Sequence, residues 1–319
     1  MKIVQDLFIG IDTSCYTSSV SCVNMNGILN DERTLLSVTN GERGLRQSDA
    51  VFQHIKNLEK LVPNLFNGLS VDSGAVAAIG VSNCPSGREN SYMPVFLSGK
   101  AVAASIAAAL HIPLYCFTHQ QGHIRAALYG NEILIGKEFI AFHLSGGTTD
   151  MLRVSESFEI ERVGGSTDIN AGQFVDRVGV KLGMRFPAGK ALEGLAAGAY
   201  ISNDFMLPSC VRGLYCSFSG VETKASRFID NKAPKEMIAI AVYDCIARTL
   251  AKLIKNAMAE FKIDRFLFAG GVASSAILRK MLLERLDGTS TCLFFSHPNL
   301  ASDNAVGTAL LTMDKAANL

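Results

Sequence analysis

At 319 residues, with 48% hydrophobic and 18% charged positions, the chain is long enough for two domains with sizeable cores. A formal net charge of +1 excludes nucleic-acid binding by bulk electrostatics, though not by a local patch. The eight cysteines include no Cys-x-x-Cys pair, which argues against a zinc ribbon or a redox dithiol. Most of them sit in apolar surroundings, as Cys116 and Cys292 do. They read as reduced, small core residues of a reducing compartment. No signal-peptide pattern follows Met1, and the low-charge run Ala101–Leu110 is too short to span a bilayer. The expectation is a soluble, cytoplasmic protein with no membrane partner.

In chain order, Leu7–Ile11, Thr17–Val23 and Ile28–Leu36 read as strands. Glu42–Val62 carries Leu45, Phe52, Ile55, Leu58 and Leu61 at helical spacing. Ala75–Ser82 predicts a buried strand, and Gly99–Leu110 a helix of small residues that packs closely on a neighbour. Residues 1–115 would form a first lobe and 116–319 a second. In the second, Phe139–Leu144 and Thr149–Val154 are strands around a Gly-Gly turn. Ala171–Leu182 and Lys190–Ala199 are helices, and Met237–Phe261 is the longest helix, with Val242, Ile246, Leu250, Leu253 and Ala257 on one stripe. Strand Arg265–Ala269, helix Ser274–Leu286, strand Thr291–Ser296 and helix Asn304–Ala317 complete the chain. The strand–turn–strand pattern at Phe8–Thr17 recurs weakly at Phe139–Thr148, which suits a duplicated architecture.

Three small-residue turns carry chemistry: Asp12-Thr13-Ser14, Ser145-Gly146-Gly147-Thr148 and Gly270-Gly271 before a helix. Glycines let backbone N–H groups approach a phosphate, and a helix N-terminus adds free donors. Together they are the pattern of two phosphate-binding hairpins and an adenosine-side glycine pair. His119-Gln120-Gln121-Gly122-His123, if helical, sets two imidazoles on one face as a metal clamp. Asp303, just before the last helix, is either a third ligand or that helix's N-cap. Asp176, on a helix beside Arg177, is either a ribose-binding acid or a solvated surface charge. Ser217-Phe218-Ser219-Gly220 reads as a polar turn.

The order of these motifs resembles the tRNA threonylcarbamoyladenosine transferase family, once described as O-sialoglycoprotein endopeptidase. The resemblance rests on Gly10 to Cys15, His119 to His123, Leu144 to Gly147, Asp168 to Asp176, Leu182 to Gly189, Ser217 to Gly220, Ala269 to Val272 and Ser302 to Asn304, and spans nearly the whole chain. It implies an α/β fold of two actin/hexokinase/heat-shock-ATPase-like lobes, each ribonuclease-H-like, with a cleft between them. It implies one divalent metal, iron or zinc, on His119, His123 and Asp303. It implies an adenine nucleotide or adenylate held by Ser145, Gly146, Gly147, Asp176, Gly189 and Gly271, with Ser275 in the same segment. The family moves a threonylcarbamoyl group from its adenylate to N6 of an adenosine beside the tRNA anticodon. Association through the first lobe with a smaller paralogous subunit is implied too, a homodimer being the alternative.

Several positions depart from the family pattern. Tyr16 and Thr17 stand where it has two acids, Thr148 replaces a histidine, Gln173 a glutamate and Ser275 an asparagine. Its Gly-Pro-Gly loop becomes Cys84-Pro85-Ser86-Gly87-Arg88-Glu89-Asn90-Ser91. Three readings follow: metal-dependent carbamoyl-type transfer to tRNA, a non-catalytic paralogue that binds nucleotide and scaffolds partners, or transfer to a small molecule. A His-Glu-x-x-His peptidase is excluded, because Gln120 is no general base.

Overall fold

The computed structural model describes residues 6–14, 16–38, 45–69, 74–87 and 91–317. Cys15, Glu42 to Gly44 of the anticipated first helix, and Arg88 to Asn90 of the replaced loop lie outside the described residues. The chain divides into one compact unit of residues 1–129 and 302–319, and a second of 130–301. This corrects the boundary anticipated at 115: the C-terminal segment returns to the first unit, and residues 116–129 stay with it. The metal-binding candidates therefore belong to the first unit rather than the second.

The first unit opens with β1 (Leu7–Asp12), β2 (Thr17–Asn24) and β3 (Gly27–Leu35). α1 (Gln47–Asn64), β4 (Val76–Cys84), α2 (Phe96–Leu110), β5 (Leu114–Thr118) and α3 (His119–Ala127) follow. The sheet order is β3-β2-β1-β4-β5, antiparallel up to β1 and parallel beyond it. β1 is buried along its whole length, as expected of a central strand written as a continuous apolar run. In α1 the buried stripe is Ala50, His54, Leu58 and Leu61. Phe52 and Ile55, expected on that stripe, are exposed because the helical period places them on the opposite face. α2 buries Phe96, Gly99, Ala103 and Ala107 and exposes Leu97 and Leu110, so its small-residue face is covered on one side only.

The second unit contains β6 (Phe139–Leu144), β7 (Thr149–Val154), β8 (Ile160–Ser166), α4 (Ala171–Lys181), α5 (Gly189–Ala196), β9 (Cys210–Arg212) and β10 (Tyr215–Ser217). α6 (Ser219–Asp230), α7 (Lys235–Phe261), β11 (Arg265–Ala269), α8 (Ala276–Leu286) and β12 (Cys292–Phe295) complete it. Its sheet runs β12-β11-β6-β7-β8-β10-β9. β6 is flanked by antiparallel β7 and parallel β11, just as β1 is flanked by antiparallel β2 and parallel β4. The weak repeat in the sequence thus marks equivalent central strands of two sheets. α7 buries 16 residues, from Ile238 to Ala257, and all but Asp244 and Thr249 pack in the main apolar core of this unit.

The last helix, α9 (Val306–Ala316), belongs to the first unit. Its seat is made by glycines: a Cβ on Gly10 of β1 would overlap the backbone of Ala305 and Ala309, and one on Gly80 of β4 would overlap Thr312. The helix is capped by Asn304, whose Oδ1 accepts from the Val306 and Gly307 amides at 3.0 and 3.4 Å. Asp303 is therefore not the cap, which leaves its carboxylate for another use. The cysteine expectation also changes. Cys116, Cys210 and Cys292 are exposed, because β5, β9 and β12 are edge strands, whereas Cys22, Cys216 and Cys245 are buried. Among the described residues, no helix is long and apolar enough to cross a membrane.

The anticipated polar turn Ser217–Gly220 proves to be the junction of β10 and α6, and Asp168 holds it. This carboxylate accepts from the Ser217 and Ser219 hydroxyls, both at 2.5 Å, and from the Phe218 and Ser219 amides at 2.9 and 3.2 Å. Partial burial works to raise its pKa, but these donors outweigh it and hold the carboxyl below the usual range. A carboxyl depressed in the folded state contributes stability above its unfolded pKa of about 3.9, and loses it as pH falls through the folded value. A carbon-detected NMR titration is expected to place the Asp168 midpoint below about 3.9, and Ser217→Ala with Ser219→Ala to move it up toward that value. An unchanged midpoint in the double variant would remove the hydroxyls as the cause.

Candidate metal centre

α3 begins at His119 because Thr118 and Gln121 form a reciprocal capping box, with the Gln121 amide donating to the Thr118 hydroxyl at 3.0 Å and the Thr118 amide to Gln121 Oε1 at 2.8 Å. That start puts His119 and His123 one turn apart on one face. The loop before α9 brings Asp303 to them. Nε2 of His119 lies 3.0 Å from Nε2 of His123, and Asp303 Oδ1 lies 3.2 Å from the latter and 3.6 Å from the former. An ion bonded to nitrogen and oxygen at about 2.0–2.2 Å holds adjacent ligand atoms roughly 2.9–3.6 Å apart. The three atoms fit one ion, and two imidazoles with a carboxylate suit zinc or iron.

Asp12 completes the arrangement, and sequence reasoning missed it as part of the site. Its side chain is 1% exposed, its Oδ2 lies 2.8 Å from Nδ1 of His119, and its Oδ1 accepts from the Ser14 amide at 2.9 Å. A carboxylate on Nδ1 leaves Nε2 as the free lone pair and fixes the ring plane, which is how metal-bound histidines are commonly held. Thr13 is also engaged: its hydroxyl donates to the Val95 carbonyl at 2.9 Å and accepts from the Gly99 amide at 3.2 Å. The turn read as a phosphate hairpin thus also holds His119 and α2. Burial disfavours a charged His119, but the Asp12 and Asp303 carboxylates outweigh it and hold its pKa well above the ordinary value. Burial likewise opposes the two carboxylates, but His119, with hydrogen bonds from Ser14 and Ser82, pulls Asp12 below its usual value, and His119 and His123 pull Asp303 below its own. The site favours positive charge at its centre, whether carried by protons or by a cation.

The remaining candidates lie in the second unit, where β6 and the parallel β11 end side by side. The Ser145 amide donates to the Thr148 carbonyl at 2.8 Å, and the Gly147 amide to Ser145 Oγ at 3.2 Å, closing a tight turn. α4 starts directly on it, with the Gly172 amide donating to the Ser145 carbonyl at 3.2 Å. Gly146, Gly147 and Gly271 are exposed, and a Cβ on any of them would meet no protein atom within 4 Å. The fold does not require glycine there, so the open space is available to a ligand. Gly270 differs: its φ of +94° and its contact with the Leu144 carbonyl demand glycine. Asp176 Oδ1 accepts from the Ala188 amide at 2.8 Å, and burial pushes its carboxyl up against the lowering effect of the Ala188 and Gly189 amides. Asp176 is therefore neither a solvated surface charge nor a neighbour-paired one; it anchors the start of α5. Ser275 Oγ donates to Glu193 at 2.9 Å and accepts from the Leu278 amide at 3.2 Å, so it caps α8.

The family model for TsaD, tRNA N6-adenosine threonylcarbamoyltransferase, matches residues 34–310. The tRNA N6-adenosine threonylcarbamoyltransferase of Nitrosomonas europaea is 29% identical over 315 residues, covering 95% of this chain and 91% of that protein. The protein of the same name from Syntrophotalea carbinolica is 30% identical over 261 residues, covering 79% of this chain and 74% of its own. Among solved structures, HypF of T. kodakarensis superposes with a TM-score of 0.66 at 13% identity, over 99% of this chain and 48% of HypF, so this chain spans about half of that protein. A ROK family glucokinase from Streptomyces griseus, in complex with glucose and AMPPNP, gives 0.53 at 13% identity over 96% and 98%. These similarities place the fold among the two-lobed actin-like ATPase architectures, and the family match over most of its length makes this chain a member of the TsaD, or tRNA N6-adenosine threonylcarbamoyltransferase, family.

Proposed function

We propose that the protein binds one metal ion on His119, His123 and Asp303 and a carbamoyl-type adenylate through Ser145, Gly146, Gly147, Asp176, Gly189 and Gly271. It transfers that group to adenosine N6 of tRNA more slowly than its relatives, or not at all. The observation that carries this reading is the convergence of three ligand atoms within 3.6 Å, with His119 oriented by Asp12. The ion held by His119, His123 and Asp303 would supply Lewis-acid positive charge. The open faces of Gly146, Gly147 and Gly271 suit backbone contact with the nucleotide.

The second reading, a paralogue that binds without turnover, is favoured by what surrounds the replaced positions. Thr17 is buried in β2 and Tyr16 is half-exposed, so no carboxylate stands at either place. Gln173, where the family has an acid, accepts from the Asn170 amide at 3.0 Å as part of a capping box for α4. Loss of general acid–base assistance is typically worth about 10²–10⁴-fold in rate. Partners under either reading are tRNA and, through the first unit, a smaller subunit or a second copy, in the cytoplasm.

Purified protein is expected to hold about one divalent or iron-type ion per chain. His119→Ala combined with His123→Ala should abolish it, and equal metal content in both proteins would remove the site. Gly271→Val should weaken ATP or AMP binding more than ten-fold by calorimetry, about 1.4 kcal/mol. In a single-turnover assay with preformed threonylcarbamoyl-adenylate and unmodified tRNA, transfer should run about 10²-fold or more below the Nitrosomonas europaea relative while the adenylate still binds. Matching rates would make this chain an ordinary working transferase.

A further inference from the structure

The histidines and Asp303 come from different elements, so their separation depends on how closely α3 and α9 approach. Gly122 lies between the two histidines on α3, and Gly307 lies one helical turn after Asp303 on α9; both are buried. A Cβ on Gly307 would overlap the Gly122 carbonyl oxygen outright, and would lie 2.6 Å from its carbonyl carbon and 2.9 Å from the Ala126 amide nitrogen. Every obstructing atom is backbone, so no change of rotamer relieves the overlap. At their far ends the same two helices are tied by Arg125, whose Nε and Nη2 donate to Asp314 at 2.6 and 3.1 Å. Glycine is a poorer helix former than alanine, so its place in a buried helix needs a reason, and the close approach supplies one.

We propose that Gly307 is a positioning residue for the metal centre: by carrying no side chain where α9 crosses Gly122, it sets how near Asp303 comes to His119 and His123. The proposal rests on the metal reading given above. Carbons pack at about 3.5–4.0 Å, so a methyl group at position 307 drives the helices apart by about 1 Å. α9 cannot retreat, because its opposite face already sits on Gly10 and Gly80 without room for a side chain. The displacement therefore falls on α3 and its histidines. Two ligands of one ion bonded at about 2.0–2.2 Å can be no more than about 4.4 Å apart. Adding that movement to the 3.6 Å between His119 Nε2 and Asp303 Oδ1 takes the pair past this limit.

The test uses the full-length chain, Co²⁺ as the probe, and titration followed by calorimetry and visible absorption. Gly307→Ala, with its melting transition checked, should bind Co²⁺ at least about ten-fold more weakly and lose band intensity. Asp303→Glu in the unaltered chain should also weaken binding. In the Gly307→Ala background, however, the same change should strengthen it, because one more carbon–carbon bond adds about 1.5 Å of reach. A merely structural role for Gly307 does not produce that reversal of sign. Wild-type affinity in folded Gly307→Ala, or an equal loss from Asp303→Glu in both backgrounds, overturns the proposal. Should Gly307→Ala not fold, Gly122→Ala decides: its Cβ meets only the Thr308 side chain and amide, nearest at 3.2 Å. It should fold and bind Co²⁺ a few-fold more weakly, and unchanged affinity overturns the proposal. Absence of Co²⁺ binding by the unaltered chain overturns the metal reading itself, an outcome distinct from equal binding by wild type and variant.

Discussion

The seating of α9 on the first sheet is the contact from which the rest of the first unit's chemistry follows. Gly10 and Gly80 remove side chains from two adjacent strands, the first where the α9 backbone at Ala305 and Ala309 lies and the second where the Thr312 side chain lies. Because the helix is the last element, this contact closes a loop through the whole second unit. It also delivers Asp303 to histidines 180 residues earlier in the chain. The cap of α9 falls to Asn304 and not to its neighbour, and this one-residue division of labour leaves Asp303 able to act as a ligand.

Much of the fold is legible in the sequence because it is written in local patterns. Continuous apolar runs at Leu7–Ile11, Phe139–Leu144 and Arg265–Ala269 mark central strands buried on both faces, and the structure has strands there. The long apolar stripe of α7 marks a helix that crosses the core. What cannot be read locally is set by distant contacts. The return of residues 302–319 to the first unit leaves no local trace, so the expected boundary is misplaced and the ligands with it. α6 is hidden because its first turn is polar and its start is fixed by Asp168, about fifty residues upstream. Phe52 and Ile55 look like core by residue type, yet the helical phase of α1 turns them outward.

The candidate site shows the same division. Two histidines four residues apart can be recognised from spacing alone, since a capped helix start at Thr118 guarantees their common face. Their carboxylate partners are another matter. Asp12 is separated from His119 by 107 positions and sits in a turn whose residue types equally suit phosphate binding. Only the geometry reveals its tie to His119: both oxygens of Asp12 are engaged inside the protein, by His119 and by the Ser14 amide. In the second unit the glycines divide by the same criterion. Gly270 is required by its own backbone, whereas Gly146, Gly147 and Gly271 face open space.

Apart from Ser275, which caps α8, the departures from the family pattern at positions 16, 17, 148 and 173 fall where the local geometry does not demand the family's residue. The turn at 145–148 is closed by the backbone of Ser145 and Thr148 and by the Ser145 hydroxyl, so the side chain at 148 takes no part in its geometry. Thr17 pairs with Leu35 through the strand ladder, a contact that any β-compatible residue makes. Tyr16 is partly exposed at the end of its turn. Gln173 still closes a capping box, a role a glutamine fills as well as a glutamate. Substitution at these places changes which protons can be accepted without disturbing the packing that holds the ligands. The metal-ligand candidates, by contrast, are held by a capped helix start and close glycine contacts, whereas Gly146, Gly147 and Gly271 face open space that the fold itself does not need.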